Sequence, residues 1–348
     1  MFPKDAWYVA CLPNEIDDKP LGRRICNEPM VFFRGGPDRR VAALKDFCPH
    51  RGAPLSLGRV CEGKLVCGYH GLEMGCDGKT VAMPGQRVQG FPQIASYPVV
   101  ERHGFVWVWP GDPARADADK ILRPHWADDP GWAFAGGLYH VRCDYRLLID
   151  NLMDLTHETY VHSNSIGQKE LDEALPTTTS EGDEVFTSRF LHDILPPPFW
   201  RMAMRGNQMH DDQRVDRWQV SRFIPPSLVL IDVGVAPAGK GGRDAPPEVI
   251  TRQTVVDFIT PETETSLWYF WGAARNFSPK DEALTATIVK AAGAIFDEDV
   301  LMLEAQQRSL EANPDHRLLM LNIDAGGVQA RRVIDRMIRA EQKTPITA

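Results

Sequence analysis

Cys48, His50, Cys67 and His70 fall within 23 residues of a chain that has only 7 cysteines and 10 histidines among its 348 residues. They form two arms, Cys-x-His and Cys-x-x-His, with sixteen residues between them, and each arm supplies one thiol and one imidazole. Zinc would accept such a set tetrahedrally, but a zinc finger usually keeps its cysteines in one arm and its histidines in the other. The interleaved order suits a two-iron, two-sulfide cluster in which one iron takes both thiolates and the other both imidazoles. Imidazoles in place of two thiolates make the cluster less negative and raise its potential, so that it accepts electrons readily. Pro49 stiffens the first loop, while Gly52, Gly68 and Gly71 let backbone N–H groups approach the sulfides. The nearby Cys61 and Cys76 break the pairing and read as small core residues or bystanders. A structural zinc knuckle is the alternative for the four donors.

A second constellation lies in "NLMDLTHETYVH", which carries Asn151, Asp154, His157 and His162. On a regular helix Asn151 and Asp154 share a face, whereas His157 and His162 diverge by about 140°. Both imidazoles can reach one metal only if the helix is distorted or ends between them, as at a π-type turn. Two His and one carboxylate form the facial triad of non-haem Fe(II) sites, which leaves coordination positions open for O2. The carboxylate must come from elsewhere. "IFDEDVLMLEAQQ" offers Asp297, Glu298 and Asp299 ahead of an apolar helical run, and Asp299 is favoured. The plainer alternative is an acidic first turn that complements a helix dipole.

The elements that must hold these groups change character along the chain. Up to about residue 110, short β-rich runs alternate with turns: "PMVFFRGGPDRRVAALKDFC" reads as a hairpin with Gly35, Gly36 and Pro37 near its tip, and "GFVWVWPGDP" as a strand stopped by Pro110. The stretch "PGDPARADADKILRP" lacks apolar periodicity and sets a domain edge near residue 115, so the expected domains are 1–115 and 116–348. Beyond it, "YRLLIDNLMDLTHETYVH" has helical spacing, and "SLVLIDVGVAP", "PEVITRQTVVDFITP" and "TSLWYFWGAARNF" read as strands. "APAGKGGRDAPP" reads as a mobile hairpin loop. Helical pattern runs through "DEALTATIVKAAGAIFDEDVLMLEAQQRSLEA" and again through "VQARRVIDRMIRAEQ". The fold class is therefore α+β: an all-β N-terminal module, then a curved antiparallel sheet with helices against it.

Composition excludes some classes of function. With 43% hydrophobic and 25% charged residues the chain reads as a folded soluble protein, and a net charge of -8 gives no sequence-wide basic field for nucleic acid. No secretory leader and no unbroken apolar run of membrane-spanning length is present, so a cytoplasmic, non-membrane protein is expected. The odd cysteine count, with Cys11, Cys26 and Cys143 far from the cluster, disfavours a secreted disulfide framework.

"CPHRG" with "CGYHG" resembles the Rieske [2Fe-2S] signature, and the whole chain resembles the oxygenase component of the Rieske non-haem iron oxygenases. The N-terminal part is similar to the Rieske domain and the remainder to the family's helix-grip catalytic domain. "NLMDLTHETYVH", the compact length and "FITPETETSLWYFWGAARNF" most resemble the vanillate O-demethylase oxygenase group. The resemblance implies a [2Fe-2S] Rieske cluster on Cys48, His50, Cys67 and His70, and a mononuclear Fe(II) on His157, His162 and Asp299. O2 is the implied cosubstrate, and electrons come from NAD(P)H through a separate flavin and iron–sulfur reductase. It also implies a homotrimer in which electrons cross between neighbouring subunits. Asp154 would bridge that interface, holding a cluster His and His157, and Asn151 would line the same polar channel; these two are the candidate catalytic residues. The implied activity is oxidative O-demethylation of a methoxy-substituted aromatic acid to a phenol and formaldehyde, as part of aromatic compound catabolism.

For the substrate pocket the expected elements are the strands "SLWYFWGAAR" and "LVLIDVGV", with Trp268, Phe270 and Trp271 as candidate ring contacts and Arg252, Arg275 and Asn276 as candidate partners of a carboxylate. Three other functions compete. A ring-hydroxylating mono- or dioxygenase would carry the same metal sites, a pure electron carrier would need only the first 115 residues, and a zinc-containing binding module would be colourless.

Overall fold

The turn signals of the N-terminal third resolve into eleven short strands: β1 (Tyr8–Cys11), β2 (Leu21–Ile25), β3 (Glu28–Gly35), β4 (Arg40–Lys45), β5 (Arg59–Cys61), β6 (Lys64–Val66), β7 (Glu73–Met74), β8 (Thr80–Ala82), β9 (Ser96–Tyr97), β10 (Val99–Arg102) and β11 (Phe105–Val108). The computed structural model describes residues 1–163, 165–205, 210 and 212–343. Its chain divides into two units. The first comprises Met1–Arg123, Thr260–Glu264 and Ile338 onward, and the second Pro124–Ile259 with Thr265–Met337.

In the first unit the strands make three sheets, ordered β1-β11-β10, β2-β3-β4-β9 and β5-β6-β7-β8. β3 and β4 are the hairpin expected from the sequence, turning at Gly36 with φ +67. β11 is buried throughout and stops just before Trp109-Pro110, where the missing proline N–H ends any ladder. Val31, Phe33, Leu44, Leu55, Leu65 and Met74 pack into one core cluster that also contains Cys48 and Cys67. The two thiols are thus packed into the hydrophobic core of the module. The segment Thr260–Glu264 joins this unit by strong local bonds, Thr260 Oγ1 donating to Val9 O at 2.7 Å and Cys26 N to Pro261 O at 2.8 Å.

In the second unit, β12 (Ala133–Val141) leads into α1 (Tyr145–Met153) and the short α2 (Glu158–Val161). β13 (Thr177–Glu181), β14 (Glu184–Ile194), α3 (Pro198–Arg205), β15 (Val215–Ile224), β16 (Leu228–Pro237), β17 (Thr251–Thr263) and β18 (Ser266–Arg275) follow. The seven strands form one sheet in the order β12-β18-β17-β16-β15-β14-β13, in which β13 to β17 are successive antiparallel neighbours and β12 returns antiparallel to β18. Two helices complete the unit, α4 (Glu282–Ala312) and α5 (Ala325–Lys343), the latter running into the first unit from Ile338. This mixture of helices and antiparallel sheets is the α+β class.

The loop 236–247 differs from its expectation. It folds back through two 3-10 turns, made possible by Gly239, Gly241 and Gly242 at positive φ, and it buries Ala245 against Trp218 and Ile250. The acidic run also differs. α4 starts at Glu282, capped by Asp281 Oδ1 accepting from Leu284 N at 2.9 Å, so residues 297–299 lie in mid-helix and not in a first turn. α4 buries Ile288, Ala292, Phe296, Asp299 and Leu303, a stripe at helical spacing in which one position is a carboxylate.

Candidate metal centres

The two arms of the first constellation close in the same way. Cys48 N donates to Ala53 O at 2.9 Å and Gly52 N to Cys48 O at 2.8 Å; Cys67 N donates to Leu72 O at 2.8 Å and Gly71 N to Cys67 O at 3.0 Å. Gly52 and Gly71 have φ of +71 and +74, the left-handed turn that each loop needs to come back on its own cysteine. Their role is therefore loop closure. Gly68 has a different one, because a Cβ there would stand 2.7 Å from the Leu57 carbonyl oxygen.

Cys48 and Cys67 are 2% and 1% exposed, while His50 and His70 are exposed with ring centroids 4.6 Å apart. Burial, and then the neighbouring Cys67 thiol, push the Cys48 thiol up, against the pull of the His50 backbone N–H. A buried thiol pair beside an exposed imidazole pair is the donor set that a cluster with one all-thiolate and one all-imidazole iron requires, so the residues fit the group. Cys61 and Cys76 are both exposed, which makes them bystanders and not core.

In the second unit the expected break does not lie between the two histidines: the chain leaves the helix before His157 and is helical again from Glu158 to Val161. α1 stops at Met153, and Asp154 leaves helical space with φ -98 and ψ 120. Its Oδ1 accepts from both the backbone N and Oγ1 of Thr156 at 2.7 Å, a local turn that competes with another helical residue. His157 then caps the one-turn α2 and His162 follows it, which brings ring centroids that a straight helix would splay to 5.1 Å. α4 supplies the carboxylate.

Asp299 Oδ1 lies 3.6 Å from His157 Nε2 and 3.3 Å from His162 Nε2, and one ligand atom from each of the three residues falls within 4.8 Å of the others. Glu298 stands behind this group, its Oε2 2.7 Å from His162 Nδ1, and Asp297 points away to accept a bond from Tyr139 OH at 2.8 Å. Asn151 Nδ2 donates to Asp299 Oδ1 at 2.9 Å, and Asp154 Oδ2 is 3.6 Å from His157 Nδ1. Each imidazole thus has its Nε2 toward Asp299; His162 Nδ1 is bonded to Glu298, which fixes its tautomer, whereas His157 Nδ1 faces Asp154 beyond hydrogen-bond distance and is buried without a partner.

Burial alone would lower the pKa of both imidazoles, but carboxylates reverse it: Asp154 and Asp299 raise that of His157, and Asp299 and Glu298 that of His162. The pocket's field therefore favours a positive charge, and with two Nε2 atoms and one carboxylate oxygen converging, the residues fit a mononuclear iron.

A cavity of about 110 Å³ opens on this group, and Ile231, Val233, Val255 and Phe296 supply its apolar wall. That is of the order of the roughly 150 Å³ known to take up one benzene ring. Of the pocket elements expected from the sequence, the strand "LVLIDVGV" lines it through Ile231 and Val233, whereas none of the named aromatic or polar contacts does. Trp268 lies tilted against His140, and Trp271 packs behind Phe296 against Tyr139. Arg252 is held bidentately by Asp232, Asn276 Oδ1 accepts from Arg252 N, and Arg275 donates to the carbonyls of Phe277, Ser278 and Asp281. The polar lining comes instead from Glu158, Arg217, Gln219 and Gln253. A signal existed in "VDRWQVSRFI", where charged and amide residues alternate with Trp and Val inside a strand; such side chains must face something polar in the interior.

A cluster-forming pair of loops on a β module, followed by a second unit with two His and one carboxylate on a ring-sized cavity, defines a Rieske-type oxygenase component. Comparison with known proteins gives the particular family. Residues 6–98 match the Rieske [2Fe-2S] domain and residues 141–340 the vanillate O-demethylase oxygenase C-terminal domain. The chain is 68% identical over 343 residues to the vanillate O-demethylase oxygenase subunit of a Pseudomonas species, covering 99% of this chain and 97% of the relative. It is 38% identical to the oxygenase component of dicamba O-demethylase of Stenotrophomonas maltophilia, covering 98% and 99%. The crystal structure of dicamba monooxygenase bound to 3,6-dichlorosalicylic acid superposes with a TM-score of 0.89 at 37% identity, covering 99% of each chain. The chain belongs to the vanillate O-demethylase oxygenase family of Rieske oxygenases.

Proposed function

We propose that the protein O-demethylates a methoxy-substituted aromatic acid of the vanillate type, using O2 and electrons from an NAD(P)H-dependent flavin and iron–sulfur reductase. The observation that carries this reading is the cavity, which sets His157, His162 and Asp299 against an apolar wall sized for one aromatic ring. The relatives' established demethylation of aryl methyl ethers supplies the reaction class. Cys48, His50, Cys67 and His70 would hold the [2Fe-2S] cluster. Iron held by His157, His162 and Asp299 would supply O2 activation beside the substrate.

The chain's own contribution is positional. Ile231, Val233, Val255 and Phe296 exclude water and hold the ring with its methoxy group toward the two histidines. Glu298 keeps the His162 ring oriented, Asp154 faces His157 Nδ1, and Asn151 restrains the Asp299 carboxylate. The balance is one O2, two electrons and two protons per turnover. One oxygen enters a methoxy C–H bond, the hemiacetal so formed breaks to phenol and formaldehyde, and the other oxygen leaves as water.

The assembly we infer is a homotrimer in which the cluster-bearing loops of one copy meet the Asp154 face of another. Two surfaces support it. Residues 47–60, 67–71 and 83–93 contain Arg51, Arg59 and Arg87 and no acidic residue, and they expose Phe47, Leu57, Tyr69 and Phe91. The depression at Asp154 and His157 has four aspartates against two arginines and ends in the exposed Leu318, Leu319 and Met320. Basic apolar loops thus have an acidic apolar counterpart, and Asp154 can there accept from a cluster imidazole as well as from His157. No described helix is long and apolar enough to cross a membrane. A cytoplasmic location fits the NAD(P)H-dependent partner and the seven free cysteines.

Protein purified anaerobically is expected to hold about three irons and two acid-labile sulfides per chain. With a matching reductase, NADH and vanillate, it should release formaldehyde in step with O2 consumption. A fully iron-loaded protein that consumes neither O2 nor vanillate would overturn the reading.

A further inference from the structure

The cavity carries a charge that the metal-binding group does not explain. β15 turns Arg217 and Gln219 to the same side of the sheet, two residues apart. Gln219 lies in register with Arg189 on β14 and with Val233 on β16, which in turn pairs with Gln253 on β17. Arg189, Arg217, Gln219, Gln253 and Glu158 are all at most 5% exposed. The single carboxylate of Glu158 serves both guanidinium groups: its Oε2 lies 3.4 Å from Arg217 Nη2, and its Oε1 lies 3.5 Å from Arg189 Nη2 and accepts from Gln219 Nε2 at 2.5 Å. Glu158 is the one carboxylate that ion-pairs directly with either guanidinium, while Asp154 and Asp172 act on Arg189 from farther away; a buried guanidinium with an unpaired N–H is costly unless something pairs it.

The hydrogen-bond inventory locates the vacancy. Arg189 spends its donors on Gln219 Oε1 and Leu171 O. Arg217 Nη1 donates to Gln168 Oε1 at 2.8 Å and to Ile166 O, but Arg217 Nε is buried without a partner, and so is Gln253 Oε1. Both residues line the cavity, whereas Arg189 does not. Burial lowers the Arg217 pKa to about 10, with Glu158 pulling it back up, so the guanidinium is charged at neutral pH.

We propose that Arg217 is the anion subsite of the substrate cavity, taking the carboxylate of the aromatic acid through its open Nε edge, and that Gln253 Oε1 accepts a hydroxyl of the same ring. The assignment rests on the O-demethylase reading and deepens it. A carboxylate would pair the Arg217 Nε–H that the protein leaves buried and unbonded. That open Nε faces a cavity which Arg189 does not line, which makes Arg217 specificity-determining.

The test separates the two readings. Benzoate binding to the iron-loaded wild-type protein, followed by calorimetry, does not require turnover; formaldehyde release from vanillate and from guaiacol, which lacks the carboxylate, does. If wild type binds benzoate yet demethylates neither substrate, the reaction assigned above fails and the anion subsite stands. Arg217→Met is expected to weaken benzoate binding and raise the KM for vanillate between about tenfold and a hundredfold, with the wild-type preference for vanillate over guaiacol lost. Arg217→Gln, which keeps a donor for Gln168 but no charge, guards against misfolding of the Met variant and should weaken benzoate at least about tenfold. Gln253→Leu should leave benzoate binding intact and raise KM for vanillate more than for 3-methoxybenzoate. Unchanged benzoate affinity in a folded, iron-loaded Arg217→Gln protein would overturn the proposal.

Discussion

In the cluster region each loop closes on itself within six residues, from Cys48 to Ala53 and from Cys67 to Leu72, and the same two backbone bonds recur in both. In the second unit the converging side chains lie 142 and 137 residues apart in sequence, His157 and His162 on a broken helix and Asp299 in the middle of another. The first arrangement is a local motif repeated; the second exists only once α4 lies along the sheet. Each protects its donors differently. The thiols are buried in a hydrophobic cluster with the imidazoles left at the surface, whereas His157, His162 and Asp299 line a cavity, with Asp154, Asn151 and Glu298 beside them.

If the two regions are independent, each can be emptied alone. Cys48→Ser should remove sulfide, the visible colour and about two of three irons while one iron remains, and Asp299→Ala should remove about one iron and leave colour and sulfide intact. Both abolish turnover. Loss of all iron in either variant, read by metal and sulfide analysis, would show that the centres depend on each other for assembly.

Asp154→Asn tests the link between them. Asn can still accept from Thr156, so both metal centres should stay loaded, but it cannot hold two imidazole N–H groups as a carboxylate does. Turnover should fall by at least about a hundredfold, with the cluster reducible by dithionite as before. Normal activity in an iron-replete variant would remove Asp154 from the electron route.

The equivalence of the two loops can be sharpened with smaller effects. Gly52→Ala and Gly71→Ala both force a Cβ into the left-handed region, and each Cβ meets a ring, Phe47 at 3.0 Å or Pro84 at 3.2 Å. Each should cost about 1–2 kcal/mol in thermal or denaturant unfolding. A large loss from one and none from the other would mean that the loops differ in what they support.

One further effect concerns pH and only the second unit. Asp257 is fully buried, and burial raises its pKa to about 8, although Tyr269 OH donates to its Oδ1 at 2.7 Å. A carboxyl raised above its unfolded value of about 4 contributes most below that pH and loses its contribution as pH rises toward 8. Asp257→Asn removes this loss. Its melting temperature relative to wild type should therefore be more favourable at pH 8 than at pH 5, and a pH-independent difference would assign Asp257 an ordinary ionisation.

Much of this was legible before folding was considered. The β3–β4 hairpin, the strand stopped at Pro110, the three long strands of the second unit and both C-terminal helices follow from apolar periodicity and turn residues. A break between His157 and His162 was expected from geometry, but the break lies before His157, at a side-chain turn on Asp154, and the two histidines stand at the two ends of a single helical turn. The substrate pocket was legible only in part. The strand "LVLIDVGV" does supply Ile231 and Val233 to the cavity, but Phe270 and Trp271 face the core, Trp268 lies against His140, and Arg252, Arg275 and Asn276 are engaged by an ion pair, nearby carbonyls or a backbone N–H.

The sequence by itself determined the cluster loops, because Cys-x-His and Cys-x-x-His with a glycine at the fifth position close through bonds between residues at most five apart. Only the tertiary structure decided which of Asp297, Glu298 and Asp299 faces the histidines, since each step along a helix turns a side chain by about 100° and the packing of α4 sets the phase. It also decided that Arg217, and not Arg252 or Arg275, meets the cavity. Strand register and the side of the sheet fix that outcome, and both depend on pairings between strands far apart in the chain.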